Sequence, residues 1–124
     1  MNINSNINFL LGLSAQLRVM HWQTKGYARH QAFGETYSNL DTLIDDFVEI
    51  YMGKYGRFSL SENEKKISID NLTELDLTAF MKTVKSELIG MSNDLSKDKD
   101  TDLLNLRDEM LGLFNKLSYL LTLE

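Results

Sequence analysis

The segment "MHWQTKGYARHQ", Met20 to Gln31, carries both histidines of the chain and its one tryptophan. A neutral imidazole can shuttle protons near neutral pH or bind a divalent transition metal. Carboxylates follow on the next stretch. Asp41, Asp45 and Glu49 stand at i, i+4 and i+8, a spacing that lines them along one edge of a helix. His21 and His30 with such carboxylates make a mixed nitrogen and oxygen donor set suited to iron, zinc or manganese. Taken singly, each residue has a plainer reading. An acidic stripe is usually a solvated helix face, and a histidine centred on an apolar stripe, as His21 is, suits a hydrogen-bonded core position. Trp22 points off that stripe and is expected to pack.

These side chains must be held by helices. The chain has 124 residues, 43% hydrophobic and 25% charged, enough for one domain over residues 1–124 and too few for two. It contains no proline and seven glycines, so little interrupts a long helix from within. With no cysteine, disulfides, thiolate metal sites and cysteine nucleophiles are excluded. The longest apolar runs, such as "FLLGL", fall far short of a membrane span, and Asn2 to Asn8 lacks the features of a signal peptide. A soluble cytoplasmic protein is the expectation. The net charge of −5 argues against bulk nucleic-acid binding. A local basic cluster, Arg18, Lys25 and Arg29 with Lys54 and Arg57, leaves room for small anions.

Apolar periodicity predicts four helices. The first spans about Asn4 to Thr24, with Ser5 as N-cap and Ile3, Ile7, Leu10, Ser14, Leu17 and His21 on one stripe. Gly26 breaks it. The second spans about Ala28 to Met52, with Phe33, Tyr37, Leu40, Ile44, Phe47 and Tyr51 inward and His30 on the flank. Gly53 and Gly56 end it. A polar link to Asn71 contains "SENE", Ser61 to Glu64, which has the shape of a capping box. The third helix spans about Thr73 to Leu95 and the fourth about Thr101 to Leu123, joined by "SKDKDTD". Short, long and short connections predict an all-α, ferritin-like four-helix bundle with a long crossover between helices 2 and 3. Neither histidine follows a glutamate by three residues; Arg18 and Tyr27 occupy those positions. A di-iron centre of the Glu-x-x-His type inside the bundle is therefore not expected.

His21-Trp22 late in the first helix and His30 early in the second resemble the Dps-type miniferritins. Asp45 and Glu49 fall 15 and 19 positions after His30, as in that family, and Tyr37 matches an aromatic at +7. The resemblance covers about Leu17 to Tyr51. It implies an oligomer, at least a dimer, with iron held by His21 and His30 of one chain and Asp45 and Glu49 of its two-fold partner. It further implies ferroxidase chemistry, in which Fe(II) is bound and then oxidised by peroxide or oxygen. Two departures stand out. The turn between the histidines is three residues shorter than in that family. The carboxylate four positions after the second histidine is replaced by Gly34, with Glu35 and Asp41 as substitute ligands. The family's basic N-terminal tail is missing, which weakens any DNA role. A fainter resemblance, on "HWQTK", "YARH" and "GKYGR", runs to short proteins of large tailed phages. It implies a virus-encoded protein acting in the host cytoplasm.

The competing expectation is a non-enzymatic oligomeric scaffold or binding module that kept the bundle without metal chemistry. It would present Tyr27, Arg29, Tyr55 and Arg57 to a partner protein or a phosphate-bearing ligand, since aromatics and arginine dominate interface energetics.

Overall fold

The computed structural model describes residues 2–123, and among these every regular element is helical. Helix α1 covers Ile3–Gln23, α2 Tyr27–Tyr55, α3 Leu77–Gly90 and α4 Thr101–Leu120. The N-cap of α1 is Asn2 rather than Ser5. The Asn2 side chain accepts the Ser5 N–H at 3.0 Å, so the serine is the residue capped. At its other end α2 runs three residues past Met52. It stops at Gly56, whose φ of +90° turns the chain out of the helix.

The third helix is shorter than its apolar repeat suggests. Asn71 and Glu74 form a reciprocal capping box around a single 3-10 turn, Leu72–Glu74. The chain then straightens, and Asp76 caps α3 afresh through the Ala79 N–H at 3.1 Å. Two start signals five residues apart divide what periodicity reads as one helix. After Gly90 a second 3-10 turn, Met91–Asp94, leads to the α3–α4 connection.

One apolar core unites all four helices. Phe33 and Phe47 of α2, Phe114 of α4, and Leu10, Leu17, Leu88 and Met110 are fully enclosed within it. The buried face of α1 is Ile7, Leu10, Leu13, Leu17 and Met20, together with Asn6 and Gln16. Ser14 and His21 therefore sit on its flank rather than at its centre.

The crossover, residues 56–76, lies along α1. Asn4 donates to the Ser59 carbonyl at 2.7 Å, and Asn8 donates to those of Glu64 and Lys66, each at 2.7 Å. Gln16 exchanges two bonds with the Asp70 backbone, and Gln23 accepts the Leu72 N–H at 2.8 Å. The link thus travels from the start of α1 to its end, and α3 begins where α2 began. Helices α2 and α3 are parallel, whereas α1–α2 and α3–α4 are antiparallel pairs. At "SENE" the Ser61 N–H and hydroxyl both donate to Glu64, while the Glu64 and Lys65 N–H groups go to the Ser61 carbonyl. Only half of the capping box forms, and the segment is a turn without a helix. No helix among the described residues is long and apolar enough to cross a membrane.

Candidate functional site

Helix α1 ends at Gln23 and α2 begins at Tyr27, so the intervening turn folds the two helix ends back to back. His21 and His30 meet across it as a stacked pair, ring centroids 3.8 Å apart and planes 18° from parallel. The hydrogen bonding is reciprocal. His21 Nδ1 lies 2.7 Å from the His30 carbonyl oxygen, and His30 Nδ1 lies 2.8 Å from the His21 carbonyl oxygen. A carbonyl only accepts, so both Nδ1 atoms carry hydrogen and donate. In each neutral ring that fixes the tautomer and leaves the Nε2 lone pair uncommitted. One of these bonds also satisfies a carbonyl in the last turn of α1, which has no partner within its own helix.

Gly34 occupies the position where a carboxylate ligand is expected, and its surroundings explain the glycine. A Cβ at that position would stand 2.7 Å from His21 Cε1 and 2.9 Å from its Nδ1. The His21 ring lies against the α2 backbone at Gly34, and glycine leaves room for it. A carboxylate at position 34 and this imidazole pair exclude one another. Tyr37 meets the His21 ring edge-on, with centroids 5.4 Å apart, and the Arg18 guanidinium lies 4.8 Å over the tyrosine ring.

The carboxylates separate into two groups. Asp41 accepts from Arg18 and from the Ser14 hydroxyl, and Glu35 pairs with Lys116 at 3.1 Å. Both substitute ligands therefore have partners within the chain. Asp45 and Glu49 are exposed, and neither makes a hydrogen bond or ion pair to another described residue. Asp45 follows His30 by fifteen residues, about 22 Å along the helix axis. Among the described residues no group of three or more His, Asp or Glu side chains gathers closely enough to hold an ion. Within one subunit the imidazoles and the acidic pair stand apart. Trp22, expected to pack, is 69% exposed, as is Tyr27 at 76%.

The far end of α2 carries a polar cluster whose members read, in the sequence, as ordinary turn residues. Asp100, 3% exposed, accepts from the Tyr55 hydroxyl, from the Ser96 N–H at 2.7 Å and from Lys54 at 3.1 Å. Lys54 also donates to Asp102 at 2.8 Å and to the Lys99 carbonyl. Burial is the largest influence on the Asp100 carboxyl and raises its pKa. The bonds from Tyr55, Ser96 and Lys54 together outweigh it, and the carboxyl lies below the ordinary aspartate range. The Lys54 hydrogen bond holds Asp102 low as well. Conversely, the bond to Asp102 raises Lys54, and the bond to Asp100 raises Tyr55. Lys54 and Tyr55 of "GKYGR" are therefore spent on joining α2 to the start of α4.

The chain belongs to a family of unknown function, DUF5856, whose pattern matches residues 21–121 and so takes in both histidines. It is also similar to an uncharacterised 14.6 kDa protein from the mobD-ri intergenic region of Enterobacteria phage T4. The two are 29% identical over 120 residues, covering 95% of this chain and 86% of the phage protein. No solved structure matches the chain.

Proposed function

We propose that the protein is a ferritin-like bundle that binds a divalent transition metal, iron foremost, between two copies of the chain. The observation carrying this reading is the pair of imidazoles locked through Nδ1. A ring that donates Nδ1–H to a carbonyl is oriented and keeps Nε2 as a ligand, the usual outer-sphere arrangement of metal-binding histidines. His21 and His30 fit that role, Asp45 and Glu49 supply exposed oxygen donors without internal partners, and Glu35 and Asp41 do not fit. A two-fold contact that laid the acidic edge of one α2 over the histidine turn of another would complete two equivalent sites. Iron held there as Fe(II) could pass to Fe(III) with peroxide or oxygen as oxidant. The chain's own contribution is to fix ring orientation and to bring two carboxylates from outside the subunit.

The test is complementation. His30→Ala chains and Asp45→Asn/Glu49→Gln chains should each lose stoichiometric Fe(II) or Zn(II) binding under anaerobic titration. Mixed and re-equilibrated, they should regain one intact site per heterodimer. Wild type that binds no metal, or His30→Ala that binds as wild type does, overturns the reading. Size-exclusion with light scattering should find at least a dimer.

A second reading, a metal-free binding module, is favoured by the exposure of Trp22 and Tyr27 beside the histidine turn. At the other end of α2 the Tyr55 hydroxyl is engaged with Asp100, while its ring stays half exposed beside the exposed Arg57.

A further inference from the structure

Away from the histidines, a groove of about 490 Å³ opens between the beginning of α3 and the end of α4, with the first turn of α2 as its third wall. That volume falls in the range of small-molecule sites. Its floor is apolar, formed by Leu77, Met81 and Leu121, and its rim carries Arg29, Lys82 and Lys85. Lys82 and Lys85 are three residues apart on one face of α3, and Arg29 reaches the same groove from α2. The hydroxyls of Thr78, Ser118 and Thr122 complete the lining, which contains no carboxylate among the described residues.

This concentration runs against the rest of the molecule. In a chain of net charge −5, Lys54 at the other end of α2 is matched by two aspartates. Here Lys85 donates to Ser118 at 2.8 Å, while Arg29 and Lys82 make no hydrogen bond or ion pair with a described residue. Like charges brought together over a concave apolar floor repel unless an anion joins them.

We propose that this groove binds a small organic phosphate, its phosphoryl oxygens on Arg29, Lys82 and Lys85 and its apolar portion against Leu77, Met81 and Leu121. Three cations suit a phosphate monoester, which carries about −1.5 to −2 charges near neutral pH, better than a single carboxylate. The site is independent of the metal reading, since none of the proposed metal ligands lines it.

Calorimetric titration of the chelator-treated protein with hexyl phosphate, inorganic phosphate and hexanoate tests the assignment, with amide chemical-shift mapping on the same samples. Hexyl phosphate should bind saturably and move the amides of Lys82, Ser118 and Thr122. The two control ligands should bind at least about tenfold more weakly, because each lacks either the apolar body or the second charge. Arg29→Gln and Lys82→Gln replace exposed cations, and each should weaken hexyl phosphate by about tenfold with the circular dichroism unchanged. Three results overturn the proposal: no saturable binding in the low millimolar range, inorganic phosphate binding as tightly as hexyl phosphate, or shifts confined to other parts of the chain. The mapping on wild type keeps the test decisive even if a variant misfolds.

Discussion

The two ends of α2 solve one problem in different ways. Each must fasten α2 to a neighbouring helix with polar side chains beside the core. At the far end, the Asp100 carboxylate takes three donors, and Lys54 spreads its hydrogens over Asp102, Asp100 and the Lys99 carbonyl. At the near end, His21 and His30 fasten the turn with one nitrogen each and have a second nitrogen in reserve. The far cluster is an internally paired set of opposite charges that ties α2 to α4, whereas each histidine keeps a nitrogen that can also take a ligand. That difference, more than any count of histidines, makes the α1–α2 turn the place to look for chemistry.

Removing the hub of the far cluster should have the largest effect on stability. Asp100→Ala strands the Ser96 N–H and the Tyr55 hydroxyl beside the core. The expected cost is roughly 2–4 kcal/mol in urea unfolding, within the range for breaking a buried hydrogen-bonded charge. A loss within experimental error would show that this end is held by packing alone.

At the near end, Gly34→Ala should destabilise by roughly 1–3 kcal/mol, the usual range for overpacking. It does so although alanine is the better helix former by about 1 kcal/mol. Gly112→Ala on α4 supplies the contrast, because a Cβ there meets nothing within 4 Å. It should stabilise by roughly 0.5–1 kcal/mol. If both substitutions shift the thermal midpoint the same way, the His21 ring does not rest on Gly34.

A smaller effect concerns acid. Asp100 and Asp102 have folded pKa values below their ordinary ones. Their contribution is therefore complete above the ordinary aspartate range, about pH 4, and is lost as pH falls through the lowered values. Asp102→Asn should lower stability by a constant amount above about pH 4 and flatten the acid limb, so that the two stability-against-pH curves converge as pH falls through the lowered pKa. On the alkaline side the sign reverses. Lys54 and Tyr55 are raised, so their contribution is full below about pH 10 and fades above it.

The sequence made most of the helical architecture readable, for a simple reason. Leu88, Met110, Phe114 and their neighbours repeat at helical spacing because one face of each helix is buried. The crossover could be inferred from length, but its attachment could not. Asn4, Asn8, Gln16 and Gln23 look like ordinary polar surface residues until the link is seen beneath them. Of the site, the proximity of His21 and His30 followed from the turn between them. The stacking and the role of Gly34 did not, since both depend on how closely two helices approach. "SKDKDTD" reads as a solvated turn, yet it contains the buried Asp100, whose partner Tyr55 lies 45 residues away. Local spacing carries no trace of such a pairing. Trp22 is exposed although expected to pack, because a helical wheel assigns a direction and cannot say whether anything lies there.

The amide anchors along α1 have one more consequence. Apart from Asn4, Asn8, Gln16 and Gln23 themselves, what they grip is mainly peptide backbone, with no formal charge on either side. Dissolved salt screens attractions between ions and leaves neutral dipole pairs nearly untouched. In concentrated brine the crossover belt should therefore stay fastened while the Lys54 latch slackens, so the molecule would loosen first where α2 meets α4.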